Sequence, residues 1–217
     1  KMIYSDGTNV VDTAFTDLSS DYSPQLSANL DANGKNIAID TATGIIDESG
    51  NEQITFTTTG SAVNEFTVAN AATGNAPAIS ATGGDTNIDL NLTPKGTGRA
   101  TFNGQGKIQS VAEKVTTAAV GTTGTVNYDV LTQAVLNHTT DAAGNFTVNI
   151  RGDGSNSLNS IMDTGESITI AFIVKNGSSA YYNNVVQIDS STVTPEWQGG
   201  SAPTGGNASS LDVYSYT

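Results

Sequence analysis

The sequence predicts an all-β protein, on three observations. Apolar residues alternate with polar ones over short stretches, which places them on one face of a strand. Clusters of Gly, Asn, Asp and Pro separate these stretches and supply the turns. Apolar residues make up only 36% of the 217, so any core is thin and no long helix pattern competes. The predicted architecture is an elongated, trimeric, intertwined β shaft followed by a C-terminal β-sandwich that is jelly-roll-like.

In chain order, residues 1–22 read as a connecting segment and residues 23–110 as the repetitive shaft. Strands are predicted around Ile54/Phe56, Phe66/Val68 and Ile88/Leu90/Leu92, with turns at Asp31-Ala-Asn-Gly34, Asp47-Glu-Ser-Gly50, Thr73-Gly-Asn75, Thr82-Gly-Gly-Asp85 and Asn103-Gly-Gln-Gly106. Asn91-Leu-Thr-Pro-Lys-Gly-Thr-Gly98 must turn, because proline lacks the helical donor and glycine gains freedom outside a helix. Such strands carry too little apolar area to offset their chain entropy alone. Wrapping three copies round an axis buries their faces and removes exposed edges.

Residues 111–217 carry longer strands and most aromatics. Val126/Tyr128/Val130, Phe146/Val148/Ile150 and Ile168/Ile170/Phe172/Val174 alternate, and Val130–Asn137, which fits either period, reads as the continuation of a long strand. These residues predict a sandwich with a core of its own. Ser210–Thr217 stops inside an alternating strand and the chain begins at Lys1, which predicts a piece of a longer polypeptide.

Charge and composition narrow the function. The net charge of −13, from 21 acidic and 8 basic residues, opposes binding to nucleic acid or anionic lipid, which needs clustered Lys and Arg. The absence of cysteine removes disulfides, thiolate catalysis and cysteine metal sites. No apolar run approaches the roughly 20 residues of a membrane span, and the first residues lack the apolar region of a signal peptide. Membrane insertion is not expected, and release by lysis as part of a particle is the expected route outward.

The run Ser61-Ala-Val-Asn-Glu-Phe-Thr-Val-Ala-Asn70, with Ala71–Ser80, Ala81–Leu90 and Asn91–Gly98 after it, resembles repeats in tail fibre proteins of marine bacteriophages, including those infecting cyanobacteria. Tyr4–Val11 and Ser23–Gly34 look like the modules that precede such repeats, and Gln187-Ile-Asp189 with Trp197-Gln-Gly-Gly-Ser-Ala-Pro203 is similar to the terminal domain. The resemblance covers most of the chain. It implies a virion fibre protein for host attachment, a phage-particle appendage that is extracellular after host lysis. Implied partners are copies of itself in a homotrimer, other virion proteins, and a host surface glycan or protein. The alternative is a capsid-decorating, head or baseplate structural fibre that binds another virion protein. A polysaccharide depolymerase is the third reading.

Enzymatic chemistry finds few residues to use, and neither a catalytic residue nor a cofactor is expected. A nucleophile–histidine–acid triad would need His138, whose setting, Leu136-Asn-His-Thr-Thr140, lacks a serine elbow and reads as a hydrogen-bonded surface histidine at a strand end. Carboxylate pairs for glycoside cleavage, Asp85 with Asp89 or Asp31 with Asp40, lie in turn clusters where Asp caps its own backbone. Asp31–Gly34, Asp47–Glu52 and Asp153–Asn156 offer oxygen ligands but complete no calcium loop, so no metal is expected. Arg151-Gly-Asp153 reads as the turn after a strand, and Lys95-Gly-Thr-Gly98 lacks the spacing of nucleotide motifs. Receptor contact is expected at Tyr181, Tyr182 and Trp197, whose flat faces suit sugar rings, and at Asn183, Asn184 and Gln198, whose amides can bond hydroxyls. Core packing is the competing role for Trp197.

Overall fold

A computed structural model describes residues 36–217 and the strand backbones Met2–Ser5 and Val10–Thr13. The rest of the connecting segment, the Asp31-Ala-Asn-Gly34 turn and the start of the predicted shaft lie outside the described residues. Among the described residues the regular secondary structure is almost wholly β-strand, and the chain divides into two compact units, Lys1–Leu90 and Asn91–Thr217.

Among the described residues the first unit shows three antiparallel pairs. They are β1 (Met2–Ser5) with β2 (Val10–Thr13), β3 (Thr43–Ile46) with β4 (Glu52–Phe56), and β5 (Asn64–Ala69) with β6 (Ala78–Gly83). Asp47 closes the β3–β4 turn by accepting from the Ser49 and Asn51 amides at 2.9 and 2.8 Å. The Asn51 side-chain amide and these backbone donors hold the Asp47 carboxyl below its ordinary range. Gly44 is dictated by packing, since a Cβ there would sit 1.7 Å from the Ile54 carbonyl oxygen. Register puts Thr43, Ile45, Ile54 and Phe56 on one face of the first hairpin, and Phe66, Val68, Ile79 and Ala81 on one face of the second. Neither face is covered, and none of residues 36–90 is buried. An isolated two-stranded hairpin is marginal in water.

The alternating Ile88/Leu90/Leu92 stretch is not a strand, contrary to expectation. Alternation sorts side chains to two faces but supplies no partner for the ladder, and this stretch has none. Lys95-Gly-Thr-Gly98 does turn, with the Gly98 amide donating to the Lys95 carbonyl at 3.1 Å.

The second unit holds eight strands: β7 (Val115–Ala118), β8 (Gly124–Asp129), β9 (Val135–His138), β10 (Phe146–Arg151), β11 (Ile170–Lys175), β12 (Asn183–Ile188), β13 (Ser191–Val193) and β14 (Leu211–Tyr216). Two four-stranded sheets, ordered β13-β12-β10-β8 and β14-β11-β9-β7, share one apolar core. From β7 to β12 each successive strand changes sheet, so strands two apart pair side by side in the same direction. β7 with β9, β9 with β11, β8 with β10 and β10 with β12 are parallel; only the outer pairs β11–β14 and β12–β13 are antiparallel. This pairing departs from the jelly-roll expectation, which requires antiparallel strands throughout. The crossover that parallel pairing demands is supplied each time by a strand of the facing sheet.

Inside, Tyr128, Phe146, Val148 and Phe172 are at most 1% exposed. Phe146 packs on Phe172 and Tyr214 with ring centroids 5.6 and 6.1 Å apart. The Tyr128 hydroxyl donates to the Ala134 carbonyl, and burial pushes its phenol up to about 12. The long strand expected through Val130–Asn137 is broken after Asp129, where the Val130 and Leu131 amides turn toward the Arg151 and Gly152 carbonyls at 3.0 and 3.1 Å. His138 is correspondingly buried, not at the surface. Its Nδ1 lies 2.8 Å from the Val120 carbonyl, and its ring meets Phe172 edge-on at 5.5 Å. A one-turn helix, α1 (Leu158–Ile161), capped by Ser157, interrupts the β10–β11 connection.

Candidate functional site

Strand β12 begins one edge of a concave surface of about 390 Å³ on the second unit. Tyr182, Asn183, Asn184 and Trp197 line it together with Thr192, Thr194, Pro195 and Pro203. Two contacts fix its base. The Tyr182 amide donates to Asn145 Oδ1 and the Tyr182 carbonyl accepts from the Phe146 amide, each at 3.2 Å. Trp197 is half-buried and packs edge-on against Tyr216, with centroids 6.2 Å apart. The turn that follows it closes through the Gly200 amide and the Trp197 carbonyl at 2.8 Å. Gly199 and Gly200 both hold positive φ there, 86° and 77°, a conformation that costs other residues strain.

The six residues expected at a receptor surface separate into three groups. Tyr182, Asn184 and Trp197 meet at the concave surface, with Asn184 exposed. Asn183 touches the same surface but has no free amide. Its Nδ2 donates to the Phe146 and Val185 carbonyls at 2.9 and 2.8 Å, and its Oδ1 accepts from the Tyr216 hydroxyl at 2.5 Å. It is 2% exposed, and its role is to tie β12 to β10 and β14. Tyr181 packs on the core, and Gln198 is exposed; neither lines this surface. Burial pushes the Tyr216 and Tyr214 phenols up, so both stay protonated at neutral pH; the Tyr216 hydroxyl donates to Asn183 and the Tyr214 hydroxyl accepts from the Asn183 backbone amide at 3.2 Å.

Thr192, Thr194 and Pro203 were not anticipated. The spacing Thr192-Val-Thr194 carries the signal, because period 2 turns both hydroxyls to one side while Val193 packs against the core. The result is a shallow surface with two aromatic side chains, one exposed amide and two threonine hydroxyls. Uncharged groups of this kind bind a neutral polyhydroxyl ligand by stacking and hydrogen bonds.

Other chemistry-bearing residues are occupied locally. Asp153 accepts from the Ser155 and Asn156 amides at 2.7 and 2.8 Å, which lowers its carboxyl below the usual range. Arg151 of the Arg-Gly-Asp triplet donates to Asp129 Oδ1 at 2.6 Å across the strand pair. Asp85 accepts from the Asn64 side-chain amide at 2.8 Å. Asp31 lies outside the described residues. Among the described residues, no three His, Asp or Glu side chains gather as a metal would require, and no helix is long and apolar enough to cross a membrane. Compared with protein-family models, with curated proteins and with solved structures, the chain shows no match.

Proposed function

We propose that this chain is a non-enzymatic fibre component of a bacteriophage virion and that it attaches the particle to host cells by binding a surface glycan. The observation that carries the reading is the concave surface where Tyr182, Trp197 and the exposed amide of Asn184 meet the hydroxyl-bearing Thr192 and Thr194. Aromatic side chains there give contact area at little rotamer cost, and the amide and hydroxyls match sugar hydroxyls. The resemblance to marine phage tail fibres supports the placement on a virion. The uncovered apolar faces of the β3–β4 and β5–β6 hairpins support self-association, as a homotrimer, because such faces gain stability when copies cover them.

Trp197 is the single tryptophan of the chain, so its emission reports on the site directly. Titrating the full chain with purified cyanobacterial lipopolysaccharide is expected to change that emission saturably, and Tyr182→Ala is expected to reduce the response while leaving the circular dichroism spectrum intact. A folded protein that gives no response and does not adsorb to cells defeats the proposal. Capture of another virion protein instead would install the decorating-fibre reading, and release of reducing ends would install the depolymerase.

A further inference from the structure

A pocket of about 190 Å³ lies between the two sheets at one end of the second unit. Ile150 and Ile188 reach it from the ends of β10 and β12, Ile170 from the start of β11 and Tyr216 from the end of β14. Its floor belongs to the core, where Ile150 and Ile170 are buried. At its rim Ile168 and Ile188 are 36% and 39% exposed. Val186, Val193 and Pro195 line both this pocket and the concave surface of Tyr182 and Trp197, and Tyr216 of the pocket packs edge-on against Trp197. The two hollows are therefore neighbours.

The lining is apolar, and the hydroxyls it contains are occupied. Among the described residues no charged side chain lines the pocket. The Tyr216 hydroxyl donates to Asn183 Oδ1 at 2.5 Å, and the Thr217 hydroxyl bonds that of Thr169 at 2.9 Å. A trapped water needs about two to four polar partners, whereas an apolar cavity of ~150 Å³ stays dry and takes up benzene. This pocket is larger than that, and its side chains offer water little.

We infer that the ligand is a glycolipid whose hydrocarbon chain enters this pocket while its sugar lies on the adjoining Tyr182/Trp197 surface, an inference that rests on the glycan reading above. Volume selects a chain over a smaller substituent. At ~30 Å³ for a group the size of a water molecule, 190 Å³ accepts about six methylenes. The methyl of a deoxysugar or an acetyl group would leave most of the pocket empty, and an acetyl carbonyl would find no free side-chain donor there. Each methylene moved from water into such a site gains about threefold to fourfold in affinity. The chain also covers Ile168 and Ile188 at the rim, which adds to that gain. Continuity of the two hollows through Val186, Val193 and Pro195 lets one amphiphile occupy both.

Straight-chain alkyl β-D-glucosides from methyl to decyl, titrated into the full chain below their micellar concentrations, test this. Isoleucine-methyl NMR reads the pocket directly, because Ile150, Ile168, Ile170 and Ile188 line it. Affinity is expected to rise about threefold per methylene and to level off near roughly six carbons, with the isoleucine shifts confined to those residues. Ile188→Phe, which fills the mouth, is expected to remove the chain-length gain. Should it lose its folded signal in circular dichroism, Ile168→Phe replaces it with the same expected direction. Affinity that ignores chain length overturns the inference, as does a rise that continues to decyl equally in parent and variant, the mark of non-specific adsorption. Trp197 emission during lipopolysaccharide titration separates the two readings. A response there without a chain-length gain overturns the pocket alone, and a chain-length gain without that response overturns the sugar surface alone.

Discussion

Asn183 and Asn184 are neighbours in the chain with opposite fates, because the ladder shifts register between Phe146 and Thr147: Asn183 pairs with the inward Phe146 and is buried, while Asn184 is passed over and left exposed. Asn183 serves the Phe146 and Val185 carbonyls and the Tyr216 hydroxyl from a buried position. Removing its amide leaves three buried polar groups unpaired, at ~1–3 kcal/mol each before relaxation. Asn183→Ala is therefore expected to cost about 3 kcal/mol and to lower Tm by ~10 °C. Asn184→Ala is expected to stay within about 0.5 kcal/mol of the parent and to weaken lipopolysaccharide binding by roughly threefold to tenfold. Calorimetric melting and Trp197 emission check the two halves separately, and a stability loss in Asn184→Ala would reverse the assignment. The residue types at the site were legible in the sequence, but the register shift that parts the two asparagines is set by pairing with β10 and leaves no mark in the pattern. His138 was missed for a related reason. Its inward position is set by Leu136 two residues earlier, whereas the sequence reading carried one strand across the turn after Asp129.

Strands were legible wherever alternation coincides with a partner, as in β4, β5, β10 and β11. The pattern says which face a side chain takes; it does not say which strand lies alongside. That is why Ile88–Leu92 alternates without pairing, and why parallel pairing in the second unit could not be read from the sequence. Helix α1 spans four residues, too few for a periodic signal. The hairpins of the first unit make the opposite point, since their uncovered faces follow from composition alone. Ile45, Ile54, Phe66 and Ile79 remain 49–60% exposed, and if copies cover them, a carboxylate placed there enters the interface unpaired at a cost of several kcal/mol. Ile54→Asp in the full chain is expected to abolish assembly while leaving the second unit folded. Sedimentation reads the mass and near-ultraviolet circular dichroism reads the second unit's packed aromatics. An Ile54→Asp protein that assembles as well as the parent would show that the hairpin faces are covered by something else or by nothing.

At the scale of the whole molecule, self-association of a chain carrying −13 sets apolar burial against like-charge repulsion. The two respond differently to salt. Raising ionic strength from 0.01 to 0.15 M shortens the screening length from about 30 to about 8 Å, which weakens repulsion between copies and leaves apolar contacts largely intact. Assembly is thus expected to tighten as salt is added, with the dissociation constant falling over this range. A glycan site built from uncharged groups should show little change in its intrinsic affinity over the same range. Apparent affinity for a dense surface should nevertheless rise with assembly, because linked copies of a weak site gain roughly 10²–10⁴ in avidity. Sedimentation at several salt concentrations, paired with adsorption to lipopolysaccharide-coated beads, tests both halves. Adsorption that climbs together with mass supports recognition by assembled copies. If the dissociation constant rises with salt instead, attraction between opposite charges holds the copies together, and apolar burial is not what drives assembly.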